Sequence, residues 1–248
     1  MLTEKRYDVI LDLLENKRTV TVTELTGLLH ASESTIRRDL NALDQAGKLV
    51  KVFGGAVAVD MPFHPEEPSV AQKMKLMQEE KKHIAGYAAD LIEPNDFIYL
   101  DAGTTTGFLI DSIVGKKVTI VTNAVDHARR LAAAGMRVLL IGGELKGTTE
   151  AVVGNLAILS LQDYHFSKGF FGTNGLSKKE GLTTPDYNEA VVKRTALNSC
   201  RERYVLCDST KFGNISSVTF APIDTVKIIT DKTPDKTFAE YKNIITAN

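Results

Sequence analysis

The chain has 248 residues, 43% of them apolar, 25% charged and 7% aromatic, which is enough to bury a sizeable core or two and excludes a disordered chain. Two cysteines, Cys200 and Cys207, and five scattered histidines support neither a disulfide framework nor a zinc site. With 30 Lys+Arg against 31 Asp+Glu, nucleic acid is not held by net charge alone, so any such binding is local.

No apolar run reaches the roughly 18 residues of a spanning helix, and Glu4, Lys5, Arg6 and Asp8 interrupt any apolar core of a secretion signal. The expectation is a soluble, cytoplasmic protein with no metal, no cofactor and no membrane partner.

The first stretch reads as a helix ending near Asn16, because Tyr7, Ile10, Leu11 and Leu14 recur at helical spacing among charged residues. Thr21 with Glu24 three residues on is a capping-box pattern, and it opens a second short helix whose buried face is expected from Leu25, Leu28 and Leu29. After a brief break at His30-Ala31, Ser32 caps a third helix. Its Ile36, Leu40 and Leu43 point inward, Ser34, Thr35, Arg37, Arg38 and Asn41 fall largely on the other side, and Gly47 closes it. Two β-prone runs about Gly54-Gly55 then give a hairpin signal. Three helices and a hairpin over residues 1–58 predict a winged helix-turn-helix.

Pro62, Pro65 and Pro68 with Glu66 and Glu67 favour extended backbone, so residues 59–78 are expected to be a linker. Over 70–92 the pattern turns helical and charged, which predicts a linker helix running into a second domain at 79–248. There, apolar runs at Phe97–Leu100, 118–121, 138–141, 170–171, 204–206 and 226–229 read as buried strands, alternating with helices such as 124–134 and 188–200. The fold class is therefore α/β, a winged helix-turn-helix followed by a domain with a mostly parallel sheet.

Open α/β sheets bind ligands beyond the carboxyl ends of their strands, so the polar residues that directly follow each apolar run are the candidates. The first such run leads into Asp101-Ala102-Gly103-Thr104-Thr105-Thr106-Gly107 at a helix start. Glycine permits close backbone approach, helix-start N–H groups point at an anion, and threonine hydroxyls add donors. The combination suits a phosphate monoester, with an ordinary capped turn as the alternative. Later runs end in Thr122-Asn123, Gly142-Gly143-Glu144, Gly172-Thr173-Asn174-Gly175 and Asp208-Ser209-Thr210-Lys211, where each residue taken singly also reads as a turn-former. Glu189 and Lys193, four apart on a helix starting near Pro185-Asp186, read either as pocket residues or as a surface ion pair. The lack of GxGxxG, Walker, GxSxG and HExxH patterns disfavours dinucleotide, nucleotide, α/β-hydrolase and zincin readings.

Ser32-Glu33-Ser34-Thr35-Ile36-Arg37-Arg38-Asp39-Leu40, followed by Gly47, Leu49 and Gly54-Gly55-Ala56, resembles the DNA-binding domain of the DeoR family of bacterial sugar-metabolism repressors. Leu100-Asp101-Ala102-Gly103-Thr104-Thr105-Thr106, Val121-Thr122-Asn123, Gly142-Gly143, Gly181-Leu182-Thr183-Thr184, Glu189-Ala190 with Lys193, Asp208-Ser209-Thr210-Lys211-Phe212-Gly213 and Ile229-Thr230-Asp231 resemble that family's phosphosugar-sensing domain. The likeness covers nearly the whole chain. It implies an effector and oligomerisation domain related in fold to ribose-5-phosphate isomerase and glucosamine-6-phosphate deaminase. It also implies operator DNA as partner and a homo-oligomer, dimer or tetramer. The implied effector-binding residues are Asp101, Gly103, Thr104, Thr105, Thr106, Thr122, Asn123, Gly142, Gly143, Gly172, Asn174, Glu189, Lys193, Asp208 and Lys211. Within the family, residues 32–40, 170–175 and 182–186 are most similar to fructose-operon repressors of Gram-positive bacteria, which implies fructose 1-phosphate as effector. Phe53 stands where the family usually has His before Gly-Gly-Ala, and Phe cannot donate to a phosphate.

The residues themselves support DNA contact by position. Residues 1–60 carry eight Lys+Arg against nine Asp+Glu, yet Arg37, Arg38, Lys48 and Lys51 fall on the third helix and the hairpin. The expected DNA-binding set is Ser32, Ser34, Thr35, Arg37, Arg38 and Lys51, with the arginines pairing to guanine or phosphate unless one of them braces Asp39 or Asp44. A repressor controlled by a phosphosugar, and not an enzyme, is the leading reading. One rival is a sugar-phosphate isomerase or deaminase carrying a DNA-binding domain, with Asp101, Glu189 and Lys211 as an acid/base set. Another is a protein–protein winged-helix module, which Ser34, Thr35, Arg37 and Arg38 on the outward face disfavour.

Overall fold

The structure is a computed structural model that describes residues 3–17, 19–52, 55–58, 69–232, 236–238 and 240–247. The chain divides into two units, Met1–Pro62 and Phe63–Asn248.

The first unit runs α1 (Thr3–Lys17), β1 (Thr19–Thr21), α2 (Val22–Leu29), α3 (Glu33–Gln45), β2 (Leu49–Val52) and β3 (Gly55–Ala58). Thr21 and Ser32 cap α2 and α3 by accepting the N–H groups of Glu24 at 3.1 Å and Thr35 at 3.3 Å. At the other end of α3, Gly47 takes the left-handed conformation at φ 65°. It donates to Asp44 while Lys48 donates to Leu43, both at 2.9 Å, which satisfies the last carbonyls of the helix. Ile10, Leu14, Leu25, Ile36, Leu40, Leu43 and Leu49 form the core.

Two local features differ from the sequence reading. β1 adds a third strand, antiparallel to β3, in a sheet ordered β1-β3-β2. Three residues are too few to show an alternation, and Thr21 doubles as a helix cap. A Cβ on Gly55 would collide with the Val20 carbonyl oxygen, so glycine is what admits β1. Leu28 is 53% exposed, because the buried stripe of α2 is Val22, Leu25 and Leu29, and Leu28 sits about 100° round the helix from Leu29. Phe53, Gly54 and residues 59–68 of the expected linker lie outside the described residues.

The second unit opens with α4 (Val70–Lys75) and α5 (Gln78–Asp90). The helix expected over 70–92 is thus two helices, broken at Met77, whose φ of 49° turns the chain. The turn lays Met74 of α4 and Ile84 and Ala88 of α5 on one core. There follow β4 (Phe97–Leu100), α6 (Thr104–Ile113), β5 (Thr119–Thr122), α7 (Val125–Ala133), β6 (Arg137–Leu140), β7 (Glu144–Lys146), β8 (Ala151–Val153), α8 (Asn155–Gln162) and β9 (Phe166–Gly172). The remainder is β10 (Gly175–Ser177), β11 (Gly181–Thr184), α9 (Tyr187–Asn198), β12 (Cys200–Leu206), β13 (Val218–Ala221), β14 (Lys227–Thr230) and β15 (Ile244–Thr246).

Seven of these strands form a parallel sheet in the order β15-β14-β12-β9-β4-β5-β6. Successive residues serve opposite faces. Ile98, Leu100, Phe170, Tyr204 and Ile229 pack with α5 and α6, whereas Tyr99, Phe171, Val205 and Ile228 pack with α8 and α9. Burial on both faces explains why the strands read as unbroken apolar runs. β6 is the exception. It is one of the two edges of the sheet, and Leu139 and Leu140 are exposed where the sequence reading expected a buried strand. Chain order along the sheet reverses between β4 and β9, the place where such folds leave a crevice.

Candidate functional site

In the first unit, α3 turns Ser34, Arg37, Arg38 and Asn41 to solvent, opposite Ile36, Leu40 and Leu43. The brace of Asp39 is Arg6 of α1, through Nε to Oδ2 at 2.7 Å and Nη2 to Oδ1 at 3.0 Å, and neither Arg37 nor Arg38 takes that role. Asp44 accepts the backbone N–H of Lys51 at 2.9 Å and so ties α3 to β2. Arg37 pairs with Glu33 at 2.5 Å across one exposed helical turn, a bond weak enough for a phosphate to displace. Lys51 donates to Asn41 at 2.6 Å, which sets its cation beside α3. Ser32 is occupied by capping, and its hydroxyl lies 2.9 Å from those of Ser34 and Thr35.

In the second unit, a cavity of about 180 Å³ opens at the carboxyl ends of β4 and β9. Gly103, just past β4, and Gly172, the last residue of β9, meet there, and a Cβ on Gly103 would stand 3.7 Å from the Gly172 Cα. Asp101, 1% exposed, joins three elements: its Oδ2 bonds the Lys193 ammonium of α9 and accepts the Gly172 N–H at 2.9 Å. Lys193 also donates to the Gly172 carbonyl at 3.2 Å. Glu189 is held by Thr149 at 2.5 Å and Lys146 at 3.1 Å. Glu189 and Lys193 are therefore both buried, with different partners, and the surface ion-pair alternative does not hold.

The first turn of α6 borders the cavity at Gly103, Thr104 and Thr105. Its N-cap is Gly103, which supplies no side-chain acceptor. The Thr104 and Thr105 N–H groups thus keep the partial positive charge of a helix start. His127 of α7 stands beside them, buried, with no partner for Nδ1 among the described residues. Burial, helped by the charge of Arg130, pushes its pKa down to about 4, so the imidazole is neutral near pH 7. A Cβ on Gly107 would lie 2.9 Å from His127 Nε2, so a glycine in the first turns of α6 makes room for the ring.

Lys81 of α5 is 3% exposed, and its ammonium donates to the Lys73 carbonyl at 2.5 Å. Burial pushes its pKa down to about 8, with Asp208 opposing the shift and Lys211 and Lys73 adding to it. Lys211 has its nearest ion-pairing carboxylate, Asp208, at 4.0 Å. The lining cations Lys73, Lys81, Arg130, Lys193 and Lys211 outnumber the lining carboxylates Asp126, Glu150 and Glu189. Moreover, Lys193 and Arg130 are already matched, by Asp101 and by Asp111 at 2.8 Å. Glu189 is likewise matched, by Lys146 at 3.1 Å, while Lys81 bonds a neutral carbonyl and Lys211 stands 4.0 Å from Asp208, so these two ammonium groups are the ones placed to meet an anion.

Of the residues expected at the effector site, Gly103, Thr104, Thr105, Gly172, Asn174, Glu189, Lys193 and Lys211 line this cavity, with Asp101 behind Lys193 and Asp208 beside Lys211. Thr106, Thr122, Asn123, Gly142 and Gly143 do not line it. Thr106 donates to the carbonyls of Asp101 at 2.7 Å and Gly103 at 2.8 Å, and Thr122 to that of Leu100 at 2.6 Å. Asn123 accepts the Ala102 N–H at 2.9 Å. These three shape the strand ends from behind. Gly142 is exposed beyond the edge strand, and Gly143 lies where a Cβ would come within 2.5 Å of the Val153 carbonyl oxygen. The sequence reading missed Val70, Lys73, Met74, Leu76 and Lys81, which fell to the linker or its helix, and Asp126, His127, Arg130, Thr149 and Glu150. The available signal was one helix face: positions 70, 73 and 74, and again 126, 127 and 130, are three or four apart.

Among the described residues no cluster of His, Cys, Asp or Glu fits a metal ion, and no helix is long and apolar enough to cross a membrane. Both cysteines are buried thiols, and burial pushes the pKa of Cys200 up to about 12.

A winged helix-turn-helix whose third helix turns Arg37 and Arg38 outward, in one chain with an α/β unit that holds a cavity lined by lysines at its strand ends, defines a DNA-binding regulator with a sensor. Residues 6–61 match the DeoR-like helix-turn-helix domain family and residues 76–232 the DeoR C terminal sensor domain family. The chain is 41% identical to an uncharacterized HTH-type transcriptional regulator, FruR, of Bacillus subtilis, over 98% of this chain and 96% of that one. It is 33% identical to the lactose phosphotransferase system repressor of Streptococcus mutans, over 99% and 100% of the two chains. Among solved structures it is similar to ribose 5-phosphate isomerase A of Methanocaldococcus jannaschii, with 14% identity, 54% of each chain covered and a TM-score of 0.42. The protein belongs to the DeoR family of transcriptional regulators.

Proposed function

We propose that the protein represses a sugar-utilisation operon, binding operator DNA through residues 1–58 and releasing or tightening it when a phosphosugar, fructose 1-phosphate, occupies the sensor cavity. The observation that carries the reading is a pair of loosely held ammonium groups, Lys81 on a neutral carbonyl and Lys211 at 4.0 Å from Asp208, in a cavity bordered by the open N-terminus of α6. The phosphate sits against the Thr104 and Thr105 N–H groups and these lysines, while Asn174, Glu189 and His127 take the sugar hydroxyls. Likeness to FruR and to the lactose phosphotransferase system repressors supports a phosphorylated sugar. Calorimetry on the full chain tests it: fructose 1-phosphate binds, and fructose binds at least about 100-fold more weakly, since two or three charge-assisted bonds are lost. Equal binding of the two overturns the phosphate seat and returns residues 103–106 to an ordinary helix start.

The protein is not proposed to turn the sugar over. Asp101 and Glu189, two of the three groups a rival isomerase or deaminase needs, are each held by a lysine. A ketose–aldose interconversion assay with fructose 1-phosphate is expected to show no product, and turnover favours the rival. A homo-oligomer, dimer or tetramer, presents paired helices to two half-sites. Light scattering on the full chain at micromolar concentration is expected to exceed the monomer mass, and a strict monomer contradicts this arrangement.

A further inference from the structure

α4 is held to its unit by little. None of its six residues is buried, Met74 packs only partly on the core, and Leu76 just beyond it is 57% exposed. The chain then turns at Met77 into α5. One buried side chain reaches back to it. The Lys81 ammonium donates to the Lys73 carbonyl at 2.5 Å, and that same carbonyl accepts the Leu76 N–H at 3.3 Å to close the helix. Lys81 also lines the cavity, as do Val70, Lys73, Met74 and Leu76. A single cation thus stands between a neutral backbone carbonyl and the place where an anion binds.

We propose that α4 is a strap latched by Lys81: an anionic effector in the cavity draws the ammonium off the Lys73 carbonyl, and α4 loosens. The inference rests on the effector-site reading and deepens it into how occupancy is reported. Three donors would let one ammonium serve both acceptors where it reaches both, so the latch opens because the ammonium moves toward the anion, and a bond between two charged groups is roughly twice as strong as one to a neutral acceptor. Ser69, which caps α4 in a capping box with Gln72, is the first described residue after the segment that joins the two units. In chain order, the strap is therefore the first part of the sensor reached from the DNA-binding unit.

Hydrogen–deuterium exchange on the full-length protein, with and without saturating fructose 1-phosphate, tests the latch. Exchange over 103–113 is expected to slow, reporting occupancy of the cavity, while exchange over 69–77 speeds up by about threefold or more, as for a local opening. Lys81→Met, which lacks the latch, is expected to exchange fast over 69–77 without any ligand. Lys81→Gln, which keeps a donor for the carbonyl but no charge, is expected to show no ligand response there. The wild-type comparison decides even if the variants fail to fold. Slowing over 103–113 with unchanged or slower exchange over 69–77 overturns the latch alone. No slowing over 103–113 overturns the effector-site reading, and the latch with it.

Discussion

Replacing Lys193 with methionine isolates the charge at the centre of the site. Methionine keeps the unbranched apolar stem, so packing against α9 and its neighbours is retained and the ammonium is lost. The Asp101 carboxylate, in a residue 1% exposed, is then left with the Gly172 N–H, at 2.9 Å, as its one bonded partner among the described residues. Removing one member of a buried ion pair costs about 3–5 kcal/mol, because the remaining charge stays desolvated and unpaired. For a unit of this size each kcal/mol moves the melting temperature by about 2–4 °C, so the second unit is expected to melt roughly 6–20 °C lower. Differential scanning calorimetry on the full chain reads this directly, and the transition of the first unit, which contains neither residue, stays in place. Adding Asp101→Asn should restore most of the loss, since the amide oxygen still accepts the Gly172 N–H and no buried charge remains. A drop of under about 1 kcal/mol for Lys193→Met, or no recovery in the double variant, would refute the view that this pair holds β4, β9 and α9 together.

Arg37→Ala with Arg38→Ala should abolish operator retention in a gel shift while leaving the first unit's melting within about 1 kcal/mol, because both side chains are exposed and the Arg37–Glu33 pair is weak; undiminished retention would remove α3 from the DNA interface. Lys211→Ala should weaken fructose 1-phosphate by roughly 10- to 150-fold, the equivalent of about 1.5–3 kcal/mol for a charge-assisted bond, and leave fructose unaffected, with Lys211→Arg a partial rescue; equal losses for both ligands would mean a role in the fold instead. Lys81 sets a pH dependence. Its pKa of about 8 in the folded chain lies below the ordinary 10.5, so the unfolded chain holds the proton to higher pH and the stability of the free protein rises between about pH 8 and 10.5. Effector binding favours the ammonium, so affinity should fall as pH rises through about 8, with proton uptake seen as a buffer-dependent heat; a flat profile from pH 7 to 9 would exclude Lys81 from the anion seat.

Local chemistry was legible wherever a single residue settles it. Ser32 and Thr21 cap the helices they were expected to cap, and Gly47 ends α3 in the left-handed conformation that a β-carbon disfavours. The parallel sheet was legible because strands buried on both faces leave continuous apolar runs, and the ends of β4 and β9 marked half of the cavity wall. The other half was not, for a physical reason. His127, Arg130, Lys73 and Lys81 reach the cavity from helices, and which face of a helix meets a crevice depends on strand order, which is not local in sequence. The same limit hid the edge position of β6, whose Arg137-Val138-Leu139-Leu140 reads like any inner strand. Thr122 and Asn123 show the converse error: polar residues at a strand end serve the backbone around them as readily as a ligand.

The distribution of charge in the sensor bears on which part of a ligand carries the signal. Asp101 compensates Lys193, Lys146 compensates Glu189 and Asp111 compensates Arg130. Lys81 is different: its ammonium is bonded to a carbonyl, and its lowered pKa records a cost of burial that the charge of Asp208 offsets only in part. A ligand shifts an equilibrium only by the difference in its interaction with the two states. On the proposed reading, a neutral sugar fills the cavity and bonds to Asn174, Glu189 and His127 but leaves Lys81 where it was, so the latched and loosened states gain alike. The phosphate supplies the missing charge, and only the state in which Lys81 has turned to it benefits in full. Recognition of the sugar and reporting of its presence are thereby divided: the hydroxyl contacts select the ligand, and the anion draws the one buried cation whose other bond fastens α4.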